Sequence, residues 1–392
     1  MANLLCIYEN KIATVAATGE FLQNLAKHDT RVDVQLISIS HLKKHDLNHC
    51  DVLLMIRPNN TAFGRIAKMA RASGITVLFF LDDDLMHLPE GNIDIPWRKK
   101  GLLYSAKQSD VIISSSPYIC NQYSKLTGID RTLVTDTAVP SEDIREHKAG
   151  INDRIKIVYA AGIAHKTLFD RFVRPVLEQL DDRFGDKISL TFMGVHPELD
   201  ISQYKMPISY IESMRLQDYR ERIGQENFDI GLAPLVTNDF TKCKYFNKFI
   251  EYAMFGIVGI YSNTEPYTFV IKDKENGILS ENTPEEWYNT ISQAIEQPEL
   301  VSSCRNNAYS TLRERFDANI IIKKYLEGIP ELLKDHQGRN IRSARLTSIK
   351  MQYMMSRLGD WIYKAGHYFR QGGMSALIRS IRQHLSVADT VK

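Results

Sequence analysis

A chain of 392 residues is long enough for two domains with substantial cores, and 44% hydrophobic with 24% charged residues is an ordinary globular balance. A formal net charge of +2 carries no nucleic-acid footprint, no apolar run approaches the roughly 20 residues of a membrane span, and the opening MANLLCIYENK lacks a signal-peptide pattern. Five scattered cysteines without a C-x-x-C pair imply reduced thiols in a cytoplasmic setting, with neither a disulfide framework nor a metal site.

In chain order, apolar runs alternate with helical patterns. Asn3–Tyr8, Val32–Ile37, Asp51–Ile56, Ile75–Leu81 and Asp110–Ile113 read as strands. Val15–Lys27, Thr61–Ala72, Pro96–Lys107 and Pro117–Leu126 read as helices. That alternation implies a parallel sheet covered on both faces, a Rossmann-like domain over 1–140. No G-x-G-x-x-G follows the first strand, so the dinucleotide fingerprint is missing. Asp82, Asp83 and Asp84 stand at the carboxyl end of the strand TVLFFL. Crowded acids are costly unless solvated or bound to something, so they are either a solvated, helix-capping loop or a ligand site. His87 lies just beyond and reads as structural.

The polar stretch 141–153, with Gly150 following Pro140, predicts the linker. A second strand series begins at Ile155–Ala160 and continues through Ile188–Met193 and Ile208–Glu212, with helices over Leu168–Leu180 and Leu216–Gly224. Gly162 permits close backbone approach, the helix end after it suits a phosphate, and Lys166 adds a positive charge there. From Phe228 to Asn263 the order is apolar strand, polar loop, helix (Lys244–Phe255) and apolar strand, a βαβ unit. Lys244, Asn247, Lys248 and Glu251 fall on neighbouring parts of one helix face. Lysine suits a phosphate and a carboxylate suits a diol, so this face matches a nucleoside diphosphate sugar. The plainer alternative is a solvated helix with an i, i+3 Lys–Glu pair worth only ~0.3 kcal/mol. Beyond it, Trp287, Ile291 and Ile295 form an apolar helical stripe, and Leu300–Phe316 continues as helix.

This stretch resembles the nucleotide-binding signature of GT-B glycosyltransferases of the broad family-four group. Their E-x-x-x-x-G followed by an apolar strand is matched by Glu251, Gly256 and Ile257–Ser262, and an N-K-x-x-E-Y core by Asn247, Lys248, Glu251 and Tyr252. The resemblance implies two Rossmann-like domains facing across a cleft, the acceptor held by residues 1–140 and the nucleotide sugar by 154–330. It implies a phosphate contact from Lys166 beside His165, base contacts near Glu212, and ribose and diphosphate contacts from Glu251, Asn247 and Lys248. Many members carry a further Glu eight residues before this one, where Cys243 stands here. The family's first loop often holds glycines, and Glu9–Ala17 holds none. Within this frame Asp82 and Asp83 are candidates to deprotonate an acceptor, whereas Asp82–Asp84 as a metal-binding D-x-D would mean a metal-dependent GT-A transferase instead.

Residues 338–392 hold ten Lys or Arg against Asp360 and Asp389, with Met and aromatic residues interleaved. Leu377, Ile378, Ile381 and Leu385 share one face with Arg379 and Arg382 beside it, so the tail of 331–392 reads as a basic amphipathic helix that either lies on anionic membrane or packs on the N-terminal domain. The expected activity is metal-independent transfer of a sugar from a nucleotide donor to a glycan, lipid-linked or other acceptor, as in surface polysaccharide synthesis, with no cofactor and no nucleic-acid partner. A non-catalytic sugar-nucleotide-binding or scaffolding subunit is the alternative that Cys243 suggests.

Overall fold

Alternating apolar and amphipathic segments resolve into two parallel sheets in the computed structural model, which describes residues 1–88, 93–146, 153–162, 165–335 and 343–390. In chain order the first sheet comprises β1 (Ala2–Tyr8), β2 (Val32–Ser38), β3 (Val52–Ile56), β4 (Thr76–Leu81), β5 (Val111–Ser114) and β6 (Thr132–Val134). Between these strands run α1 (Ala13–His28), α2 (Lys44–Asn48), α3 (Thr61–Arg71), α4 (Pro96–Lys107) and α5 (Pro117–Thr127). The second sheet comprises β7 (Ile155–Ala160), β8 (Ile188–Met193), β9 (Ile208–Ile211), β10 (Ile230–Ala233), β11 (Val258–Ser262) and β12 (Ile278–Ser280). Its helices are α6 (Lys166–Phe172), α7 (Leu177–Phe184), α8 (Leu216–Glu226), α9 (Asn247–Met254), α10 (Pro284–Glu296) and α11 (Pro298–Thr311). The chain closes with α12 (Ala318–Gly328) and α13 (Ser343–Thr390).

The chain divides into two compact units: Met1–Ala138 with Cys243–Tyr245 and Ala318–Lys392, and Val139–Lys242 with Phe246–Asp317. In the first unit the strand order is β2-β1-β3-β4-β5-β6 and every pairing is parallel. The central β3, VLLMI, is buried at every position, as expected where helices cover both faces. One face packs Phe63, Ile66 and Ala67 of α3 with Leu346, Ile349 and Tyr353 of α13. The other packs Leu22 and Leu25 of α1 with Ile322, Tyr325 and Leu326 of α12. Residues 318–330, expected to close the second domain, thus group with the first unit, because the apolar face of α12 is buried against its sheet.

The second unit is ordered β12-β11-β10-β7-β8-β9, again all parallel. Strand order reverses between β7 and β10, and in open parallel sheets ligands bind outside the carboxyl ends of the strands at such a point. Its core is aromatic: Phe169 meets Phe192 edge-on at 4.8 Å, and Trp287 is fully buried.

Three helix expectations are corrected. The helix expected over Leu168–Leu180 is broken: α6 ends at Phe172, a 3₁₀ turn covers Arg174–Val176, and α7 begins at Leu177. Pro175 explains the break, since its nitrogen has no hydrogen to donate and its ring crowds the preceding turn. The helix expected from Lys244 starts at Asn247, after a 3₁₀ turn at Thr241–Cys243. Cys243 is 2% exposed among Phe79, Leu102 and Tyr123, and Tyr245 Oη donates to Asp136 Oδ1 at 2.9 Å, so Cys243–Tyr245 is drawn into the first unit. Lys244 therefore leaves the face assigned to it. The helix expected to reach Phe316 ends as an α-helix at Thr311, and Leu312–Phe316 is π-helical. The expected linker, 141–153, falls partly on 147–152, outside the described residues, and its start, Ser141–Asp143, is a 3₁₀ turn.

Candidate functional site

The short helix α9 follows β10 and begins on the carboxyl side of the second sheet. Its buried residues Phe249, Ile250, Tyr252 and Ala253 anchor it and turn Lys248 and Glu251 to the opposite side. Their side chains are only 27% and 24% exposed, so the pair is half-buried rather than solvated. Lys248 Nζ donates to Glu251 Oε1 at 2.6 Å, and Tyr219 Oη from α8 donates to the same oxygen. Glu251 Oε2 accepts no hydrogen bond among the described residues and is open to a further donor. Lys248 Nζ also lies 5.7 Å from the centre of the Tyr219 ring and 5.5 Å from that of Tyr252.

Four tyrosines feel the charge of this carboxylate, and Tyr219 touches it. Burial first, and then the charge of Glu251, pushes Tyr219 and Tyr267 well above the ordinary phenol value, and Tyr252 is raised by burial, Tyr219 and then Glu251. Tyr261 is raised too, by burial, Tyr267 and then Glu251. They therefore remain protonated donors. Tyr252 spends its proton on Leu232 O at 3.0 Å, which ties α9 to β10. Tyr219, which the sequence placed on a helix but not in the site, is 32 positions from Glu251, and no local pattern links the two.

The loop after β7 comes next along the edge, because β7 pairs directly with β10. Gly162 is exposed, and a Cβ there would meet nothing within 4 Å, so its backbone is approachable. His165 caps α6, its carbonyl accepting from Tyr159 Oη at 2.6 Å. Lys166 opens α6 and reaches Glu198 Oε1 at 3.2 Å. Glu198 is 92% exposed, so this pair contributes at most ~1 kcal/mol and yields readily to a competing anion. Glu212 follows β9, three strand spacings from β10, about 14 Å. It is 84% exposed and pairs with His196 Nε2 at 3.2 Å, while His196 stacks on Tyr210. Asn247 is the exposed first residue of α9. Lys248 and Glu251 thus meet directly, Gly162, His165 and Lys166 share the adjacent loop, and Glu212 stands apart.

In the first unit, the sequence DDD does two different jobs. Arg57 Nε donates to Asp82 and its Nη2 to Asp83, while Thr14 Oγ1 donates to Asp82 Oδ2 at 2.6 Å. Asp82 and Asp83 remain about one-quarter exposed. Asp84 is buried, accepting from Met86 N at 3.0 Å and facing His87 Nδ1 at 2.7 Å, so it caps the turn, as does His87 by pairing with it. Burial opposes the charge of Arg57, but Asp82 and Asp83 outweigh it and raise its pKa. Arg57 adopts φ +48, a strained setting for a side chain of its size. Its partnership with residues 25 and 26 positions away was invisible in sequence.

A second cluster lies beside it. Arg98 of α4 donates to Glu9, to Asn59 Oδ1 at 2.8 Å and to Asp360 of α13. Trp97 Nε1 donates to Asp360 Oδ1 at 2.6 Å.

Comparison with solved structures decides the fold class. HepE from Anabaena in complex with UDP-glucose superposes with a TM-score of 0.59 at 12% identity, covering 84% of this chain and 100% of that one. The chain has a GT-B fold. The lipopolysaccharide outer core galactosyltransferase WaaB is a further GT-B likeness, with a TM-score of 0.55 at 12% identity over 84% of this chain and 99% of its own. Sucrose-phosphate synthase from Thermosynechococcus elongatus gives 0.58 at 12% identity over 85% and 99%. No protein-family profile matches the sequence, and no curated protein matches it. A GT-B chain with two parallel sheets is at odds with the GT-A alternative read from Asp82–Asp84, two of which are ion-paired to Arg57.

Proposed function

We propose that this protein is a glycosyltransferase that holds a nucleotide sugar on its second unit and passes the sugar to an acceptor hydroxyl. The observation that carries the reading is the half-buried Tyr219–Glu251–Lys248 cluster at the switch point of the second sheet. Glu251, with Oε2 open, accepts the ribose hydroxyl hydrogens, and Asn247 supports the same ligand. Lys248 and Lys166 face the diphosphate. The bond between the anomeric carbon and the phosphate oxygen breaks and the acceptor oxygen takes its place. The nucleoside diphosphate leaves with its charge balanced by the two lysines, so no metal ion is required in this reading. Asp82 or Asp83 takes the acceptor proton. That HepE was solved with UDP-glucose supports a uridine donor as the first to try.

One observation favours a second reading. Cys243, standing where many such enzymes carry a glutamate, is buried and presents nothing to a ligand. Binding without transfer is the alternative that this suggests.

The test is a thermal-shift screen of UDP, GDP, ADP and CMP sugars, followed by donor turnover with and without EDTA. A donor at 100 times its Kd stabilises the fold by about 2.7 kcal/mol. No shift from any nucleotide sugar would remove both readings. A shift without turnover or donor hydrolysis would leave only the binding protein, and loss of turnover in EDTA would overturn metal independence.

A further inference from the structure

Helix α13 has two apolar faces, and only one of them is covered. Leu346, Ile349 and Tyr353 are buried in the first unit, and Asp360 is 6% exposed against Arg98 and Trp97. On the other side stand Met351 (66% exposed), Met354 (69%), Met355 (65%), Leu358 (52%), Trp361 (62%) and Ile362 (58%). At 3.6 residues per turn these six fall within an arc of about 120°, roughly opposite the docked face. This is a continuous stripe, unlike the scattered apolar residues that any surface shows. The expected stripe over Met374–Leu385 falls mostly on side chains outside the described set, and the stripe over Met351–Ile362 is a different surface.

We propose that this outer face of α13 lies in the plane of an anionic lipid bilayer. Charge selects the occupant. Residues 343–390 hold seven Lys or Arg, of which Arg357 pairs with Glu9 and Lys350 donates to Leu42 O, and their two acids are Asp360, buried against Arg98, and Asp389 near the end. Two copies of such a helix would bring like charges together, whereas an anionic lipid surface attracts them. The exposed aromatic residues Trp361 and Phe369 are of the types that settle at the boundary between headgroups and acyl chains. No described helix is long and apolar enough to cross a membrane, so the helix rests on the surface. The other face is already held to the first unit, so insertion requires no unfolding of that unit. The inference stands independently of the glycosyl-transfer reading.

Flotation of the full chain with phosphatidylcholine vesicles, with and without phosphatidylglycerol, tests it. Binding is expected to the anionic vesicles, to be at least about tenfold weaker to neutral ones, and to fall with added salt. The Leu358→Glu, Ile362→Glu double variant should lose at least about tenfold in affinity. Both positions are exposed, so its melting temperature and its thermal shift with nucleotide sugar should match the parent. A readout without substitution is Trp361 emission, which should move to shorter wavelength on adding anionic vesicles and lose that response in Trp361→Phe. Unchanged binding by the double variant overturns the proposal, as does absence of binding to either vesicle. A parent dimer that the double variant dissociates, with no vesicle binding, would assign the face to a second copy.

Discussion

Glu251 concentrates the testable chemistry at the scale of single residues. Replacing it with Gln keeps its shape but removes the charge that receives Tyr219 and Lys248. Hydrogen bonds to charged groups contribute roughly 1.5–3 kcal/mol each, so donor affinity measured by titration calorimetry should fall about 10–100-fold. Tyr219→Phe removes one donor from a half-buried carboxylate and should cost about 1–2 kcal/mol in urea unfolding as well as weakening donor binding. The cysteines make a separate test. All five are buried, and burial pushes the thiols of Cys120 and Cys304 up to about 11. Because the folded chain holds these protons more tightly than the unfolded one, their contribution is intact below pH 9 and is lost as pH rises towards 11. A thiol reagent at pH 8 should leave the native protein nearly unlabelled and label all five positions after denaturation.

Elements show how local pattern and tertiary contact divide the work. Most strand and helix identities in both halves were legible because buried parallel strands read as short apolar runs and their helices as periodic stripes, whereas β6, β12, α2 and α12 were not read. The E-x-x-x-x-G pattern was legible because Glu251, Gly256 and β11 are consecutive in the chain. What pattern could not show was any partnership across many residues: Tyr219 with Glu251, Arg57 with Asp82 and Asp83, Asp360 with Arg98. It also missed that Cys243 is pulled into another core, which shortened α9 at its start. The attachment of α13 follows from one of those partnerships. Asp360→Ala leaves Trp97 Nε1 without its acceptor and Arg98 with Glu9 and Asn59 alone, and should destabilise the first unit by about 2–3 kcal/mol in denaturant unfolding. Beneath α9, a Cβ at Gly231 would sit 2.5 Å from the Tyr252 ring. Gly231→Ala should therefore cost about 1–3 kcal/mol and, by displacing the helix that carries Glu251, weaken donor binding too.

At the scale of the whole molecule, the second unit is an insertion within the first. Residues 139–317, apart from Cys243–Tyr245, make one compact body with its own six-stranded sheet and aromatic core. A fragment spanning 139–317 should fold alone and keep its nucleotide-induced thermal shift; a fragment that stays unfolded by circular dichroism would contradict that. The fragment ending at residue 317 and beginning at Met1 should instead leave its first sheet aggregation-prone, because the part of the apolar cover that α12 and α13 add to the two faces is missing.

The same interruption sets an order of events during synthesis. Strands β1–β6 are made before the inserted half, yet Ile322, Tyr325 and Ile329 for one face, and Leu346, Ile349 and Tyr353 for the other, are made after it. The inserted half can close while the sheet of the earlier half still lacks part of the cover on each face. Between residue 317 and the docked part of α13, then, the nascent chain carries a complete second unit behind an incomplete first one, and that interval is when chaperones would have the most to hold.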